Sequence, residues 1–197
     1  MKSTILYIIM DKIIKIGIDP SINSTGICVW DTRNDKHKYY IIPSKMTKKM
    51  KGFKNQYVEL LPYDKKTPDI NDYSIKESVK FDNIYYICNH IDKILINPDM
   101  IEVYMEGVSY GSVGSAALVD LAFLNSAIRM LLKSKEIPFT IVSPTSLKKF
   151  ACANGQAEKD VMIDAWKRMD KNITDINDIK IDDLADSYFL AHYKTQP

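Results

Sequence analysis

KIIKIGIDPSINSTGICVWD, residues 12–31, holds two apolar or β-branched runs, 13–18 and 26–30, separated by the polar stretch Pro-Ser-Ile-Asn-Ser-Thr. That pattern predicts two strands joined by a turn. Asp19 closes the first run immediately before Pro20. An Asp before Pro is an ordinary turn former, so its meaning depends on the rest of the chain.

Working outward, residues 38–42 read as a third strand and 57–61 as a further one, with the polar, basic PSKMTKKMKGFKNQ (43–56) between them as a loop or arm. Val79, Ile84, Ile87, Ile91, Ile94 and Leu95 recur at near-helical spacing, which predicts a helix over 74–96 stopped by Asn97-Pro98. IEVYME (101–106) reads as a strand, 116–135 as a second long helix and 137–142 as another strand. A strand, helix and strand in that order predict a parallel βαβ pair. Helices are expected at 145–151, 158–169 and 181–193. The fold class is therefore α/β.

With 197 residues and 46% hydrophobic content, the chain can bury one sizeable core. One domain over 1–197 is expected, carrying a basic arm or insertion at about 43–73. The net charge is only +2, yet nine lysines lie between Lys36 and Lys66 against Glu59 and Asp64. Such a segment is either an electrostatic footprint for phosphates or a solvated loop. Cys28, Cys88 and Cys152 are far apart and odd in number, which fits a reducing cytoplasm better than a disulfide framework or a zinc site. The N-terminal apolar run is interrupted by Asp11, Lys12 and Lys15, too charged for a membrane span and without a signal-peptide cleavage pattern. Met10 offers an alternative start that would make residues 1–9 dispensable.

Three acidic features recur at element ends: Asp19, Glu106 at the close of IEVYME, and Asp182, Asp183 and Asp186 in DDLAD. Each has a commonplace use, as a turn former, a solvated strand end or a charge at a helix N-terminus. Together they suggest more. Neighbouring parallel strands lie about 4.8 Å apart, and helical residues three apart share a face. These carboxylates could thus form a set of hard oxygen ligands suited to Mg²⁺ or Mn²⁺, with Asp183 and Asp186 as the pair three apart.

The ordered motifs IGIDPSINSTGICVWD, VYMEGVSYG, SLKKFACANGQAEKD and DDLADSYFLAHY resemble the RuvC family of Holliday-junction resolvases, in a bacteriophage or other viral branch. The resemblance spans most of residues 13–193. It implies an RNase H-like mixed sheet, the first three strands antiparallel and later ones parallel, flanked by helices. It also implies a metal-dependent endonuclease that resolves four-way junctions in branched DNA, leaving 5′-phosphate and 3′-hydroxyl ends. Position by position it makes Asp19, Glu106, Asp183 and Asp186 the ligands of two Mg²⁺ ions, replaceable by Mn²⁺, with Asp182 a register competitor for Asp183. The family's lysines near the scissile phosphate fall on Lys148 and Lys159, or on Lys149 in a slipped alignment. A homodimer is implied, with helix 116–135 as an interface element, and a cytoplasmic location, that of the host for a virus.

This sequence departs from the family in two places. Where an aromatic residue commonly follows the Glu by three positions, Ser109 stands here with Tyr110 beside it. Tyr110 is the candidate replacement for unstacking bases. The region 43–73 is longer and more basic than in compact members, which makes Lys45, Lys48, Lys49 and Lys51 candidate DNA contacts.

Two other readings compete. A sugar-kinase or actin-like ATPase also places a DxG motif after its first strand, but Pro20 occupies the Gly position and no second nucleotide-binding half follows. A non-cleaving branched-DNA-binding module would not need the full acidic set. His37, His90 and His192 are dispersed and lack metal-ligand spacing, and His192 is expected to serve packing or lie at the surface. Tyr7, Tyr39, Tyr40, Tyr57 and Tyr63 interleave in part with basic residues and could stack on bases, although strand tyrosines are more often core. GSVGS (111–115) is not a phosphate-binding GxxxxGK[ST] loop and reads as a helix entry.

Overall fold

The computed structural model describes residues 13–63, 72–108, 115–173, 176, 179 and 181–194. Strands β1 (Ile14–Asp19), β2 (Ser24–Asp31) and β3 (Lys36–Pro43) form an antiparallel meander. The chain then makes the short helix α1 (Lys48–Lys51) and strand β4 (Val58–Leu60), which pairs parallel to β3 at the sheet edge. Helix α2 (Tyr73–Ile94) leads to β5 (Ile101–Glu106), and α3 (Ser115–Ser134) to β6 (Phe139–Val142). Helices α4 (Pro144–Cys152), α5 (Lys159–Met169) and α6 (Ile181–Ala191) complete the chain.

The six strands lie in the order β4-β3-β2-β1-β5-β6, with β1, β5 and β6 mutually parallel. The mixed α/β sheet expected from the sequence is the one observed. Strand alternation divides its two faces. Ile16, Ile18, Ile27, Val103 and Met105 are buried beneath α2 and α3 with Ile87, Leu124 and Ile128. Cys28, Tyr39, Tyr104 and Val142 face the other way and pack with Trp166, Leu184 and Phe189 of α5 and α6.

The segment expected as a loose arm is partly anchored. Thr47 caps α1 by accepting a hydrogen bond from the Met50 backbone N–H, and Met50 and Val58 are buried at the edge of the core. Met50, within the stretch read as polar, and Val58, in the strand expected at 57–61, hold it down while Lys45, Lys48, Lys49 and Lys51 stay on the outside. Residues 64–71 of the expected arm lie outside the described residues. Among the described residues no helix is long and apolar enough to cross a membrane.

Candidate active site

Strand alternation brings Gly17 and Asp19 of β1 onto the α6 face, together with Ser24 and Gly26 of β2 and Tyr104 and Glu106 of β5. Asp19 pairs with Gly26 across β1 and β2, and Ile18 is level with Met105, one residue before Glu106. The two strand-end carboxylates are hydrogen-bonded to each other. Two carboxyl groups in such contact must share a proton or a cation.

Helix α6 supplies the remaining acids because the sheet has no side chain in its way. A Cβ on Gly26 would lie 2.7 Å from the Asp183 carbonyl carbon, and one on Gly17 would lie 2.5 Å from the Ala191 backbone nitrogen. Both glycines are there for close approach, since neither has a positive φ. Asp183 accepts a hydrogen bond from Ser24 Oγ. Asp183 and Asp186, on one helix face, both act electrostatically on Asp19. Asp182 turns aside to Lys159, whose Nζ lies 2.7 Å from its Oδ2. The register alternative therefore separates in space: Asp183 meets the sheet and Asp182 meets α5.

The concentration of negative charge shows in the acidities. Burial, then the charges of Glu106, Asp186 and Asp183, push Asp19 well above the usual carboxylate range. Burial, then Glu106 and Asp182, push Asp186 up to about 7, opposed by Lys159 and Lys148. Glu106 is raised by burial and partly relieved by its bond to Asp19 and by the two lysines. Such a group of oxygens fits a hard divalent cation, which would replace both the shared proton and the repulsion.

These shifts carry a sign that can be measured. A carboxyl group whose folded pKa is raised favours the folded state at low pH, and that contribution is lost as pH climbs from its ordinary value toward the folded one. In chelator, stability should fall between pH 3.8 and about 7 through Asp186, by roughly 1–3 kcal/mol after allowing for solvent screening. Mg²⁺ should recover more stability at pH 7.5 than at pH 5. Urea titrations of the wild type and Asp186→Asn check this; equal slopes for the two proteins would contradict it.

No protein-family model matches the sequence, and no curated protein matches it. Solved structures do match in fold. Thermus thermophilus RuvC aligns with a TM-score of 0.56 at 14% identity over 90% of each chain. T. thermophilus RuvC in complex with a Holliday junction substrate aligns at 0.57 and 12% identity, over 91% of this chain and 90% of that one. The fold is RNase H-like.

Within this RNase H-like frame, α4 and α5 bring cations to the acids. Ser143 caps α4 through a 3.1 Å hydrogen bond from the Ser146 backbone N–H, with Pro144 in the first turn. The helix so started carries Lys148, half-buried and within electrostatic reach of Glu106 and Asp186. Lys149 is exposed on the same helix. Lys159 opens α5, largely exposed but tied to Asp182, which raises its pKa. β3 ends opposite Ser24, so the chain carrying Lys45 leaves the sheet at the same end as Asp19. Tyr110, with Ser109, lies outside the described residues, as does Tyr7. Tyr39 and Tyr63 are core residues, Tyr63 donating to the Ile22 carbonyl.

Sequence reasoning missed one grouping. His37 and His192, 155 positions apart, face each other with Nε2 atoms 3.2 Å apart. No spacing pattern could have shown this, because β3 and the end of α6 meet only in the folded chain.

Proposed function

We propose that this protein is a metal-dependent, structure-selective DNA endonuclease that hydrolyses phosphodiester bonds in branched DNA, four-way junctions in particular. The observation that carries the reading is the meeting of Asp19, Glu106, Asp183 and Asp186 on one face of an RNase H-like sheet, beside Lys148 and Lys159. The fold likeness to a RuvC captured with a Holliday junction supports the choice of substrate. A non-cleaving module would have no use for four acids gathered so closely that neighbouring carboxylates raise the pKa of Asp19 and Asp186.

Asp19, Glu106, Asp183 and Asp186 would hold two Mg²⁺ ions, or Mn²⁺. When bound, these ions supply Lewis acidity toward the scissile phosphate and toward the attacking water. The chain's own residues do the rest. Asp19, on which the charges of Glu106, Asp186 and Asp183 all act, would be the central ligand of the set. Ser24 holds one oxygen of Asp183 and so sets the direction in which that carboxylate would coordinate. Lys148 and Lys159 offset the charge of an incoming phosphate, and Lys159 can exchange Asp182 for it. Outside the site, Lys149 and Tyr110 are proposed to contact DNA.

Two nicks in a two-fold symmetric junction call for two sites, and we assign the second to a second copy of the chain. The surface offered is the α2 and α3 face, where Phe81, Phe123 and Met130 are 68%, 51% and 74% exposed around a shared groove.

Four-way junction, flap, fork and plain duplex incubated with Mg²⁺ or Mn²⁺ test the activity. Cleavage concentrated on the junction is expected; binding of the junction without cleavage of any substrate would leave only the binding-module reading. Lys45, Lys48, Lys49 and Lys51 are proposed to contact phosphates. Neutralising all four should flatten the salt dependence of junction binding, by about 0.9 in log–log slope for each phosphate no longer neutralised. An unchanged slope removes this segment from the DNA interface.

A further inference from the structure

At the opposite end of α6 from the acids, the first residue past the helix, His192, meets His37 at the start of β3 and Asp35 in the turn before it. The three offer donor atoms all within 4.8 Å of one another. We propose that Asp35, His37 and His192 form a second metal site, separate from the acidic cluster and specific for a transition ion of the Zn²⁺ class.

The wiring of the imidazoles points to a cation. His192 Nδ1 lies 2.9 Å from the Tyr188 carbonyl oxygen, which can only accept, so the proton sits on Nδ1 and the lone pair on Nε2. His37 Nδ1 lies 3.6 Å from Asp170 Oδ2. Asp170 itself is a buried acceptor for Tyr39 Oη at 2.7 Å and for the Asn172 backbone N–H at 3.0 Å. A proton on His37 Nδ1 therefore suits Asp170, and the His37 lone pair also falls on Nε2. The two lone pairs then point at each other across 3.2 Å. That approach needs a proton on one Nε2 or a metal ion between the two, and the tautomers that suit Tyr188 and Asp170 leave both nitrogens free to ligate a metal.

The separation fits one. Nitrogens bound at about 2.0–2.1 Å to a tetrahedral zinc lie roughly 3.3 Å apart. A carbonyl or carboxylate behind each ligating imidazole is the usual support of such ligands; here the Tyr188 carbonyl stands behind His192 at 2.9 Å and the Asp170 carboxylate behind His37 at 3.6 Å. The His192 ring is also held flat, between Trp30 at 4.0 Å and Tyr188 at 4.1 Å between centroids. Asp35 takes a left-handed backbone, φ 53°, and accepts a hydrogen bond from Trp30 Nε1 at 2.9 Å through Oδ1, leaving Oδ2 to coordinate.

Two imidazoles and one carboxylate favour Zn²⁺, Co²⁺ or Ni²⁺ over Mg²⁺ or Ca²⁺. The fourth position would face a cavity of about 380 Å³ lined by Met169, Asp170 and Asn172 besides the ligands and their aromatic neighbours. An ion there would clamp the C-terminal end of α6 to the β2–β3 turn, nine residues and about 14 Å along the helix from Asp183.

Zn²⁺ titrated into the chelator-stripped full chain, with excess Mg²⁺ present to fill the acidic cluster, tests the site. One zinc per chain is expected, with imidazole scattering at the zinc absorption edge and a higher thermal midpoint. His192→Gln should weaken binding by about 100-fold or more. Asp170→Asn, which keeps all three ligands, should weaken it about 10–100-fold, and Asp186→Asn should leave it unchanged. An absorption edge without imidazole scattering would overturn the proposal even if the variants failed to fold. So would zinc affinity that survives in both His37→Gln and His192→Gln.

Discussion

Asp19→Asn should lose Mg²⁺-dependent junction cleavage by about 10²–10³-fold or more while still binding the junction, and should melt at a higher temperature than the wild type in chelator. Both effects have one cause. Asp19 is half-buried and surrounded by Glu106, Asp186 and Asp183, all of which oppose its charge. Asparagine has the same shape, carries no charge and can donate a hydrogen bond to Glu106, so the metal-free cluster relaxes. The same change removes the proposed central oxygen ligand. Cleavage rates on a labelled junction, gel-shift binding and thermal melts in EDTA measure the three quantities. Cleavage at the wild-type rate would remove Asp19 from the catalytic site; a lower melting temperature in EDTA would mean that its charge is compensated by something other than a cation.

The second large effect comes from residues with no chemistry of their own. Gly17→Ala should destabilise the fold by about 3 kcal/mol or more, because its Cβ would be driven into the α6 backbone at Ser187 and Ala191. A flexible side chain could turn away; a helix backbone cannot. Gly26→Ala strikes the same helix one turn from its start, against Asp183. Since a displacement of about 1 Å in a catalytic group can cost 10²-fold, its activity should fall further than its stability explains. Gly52→Ala, where a Cβ meets nothing within 4 Å, is the control and should be near neutral. Denaturant midpoints alongside cleavage rates decide the matter: a Gly17→Ala protein as stable as the Gly52→Ala control would mean that α6 does not rest on β1 as described.

Much of this architecture is legible in the chain because local pattern and tertiary packing agree. The runs at 13–18 and 101–106 are strands that bury one face under α2 and α3, and IEVYME matches β5 residue for residue. Asp19 and Glu106 could be singled out only together with the acids of DDLAD, since each alone is a commonplace strand-end residue. What could not be read is what depends on long-range meeting. The anchoring of 43–60 rests on Met50 and Val58 reaching the sheet edge, which no local period announces. Gly17 and Gly26 look like ordinary strand glycines until α6 is laid over them. The division of labour between Asp182 and Asp183 depends on α5 standing beside α6, and the pairing of His37 with His192 depends on the full length of α6.

The pleat of β1 also limits how such a chain can vary. Ile16 and Ile18 enter one core while Gly17 and Asp19 meet α6, so the strand is read in twos. Adding or removing a single residue between Ile14 and Asp19 would exchange the two sets, placing isoleucines against the helix backbone and the carboxylate in the apolar layer. Changes of length are therefore confined to the connections, above all the stretch between Pro43 and Val58 at the sheet edge. A new substrate preference can grow there without disturbing any of the proposed ligands.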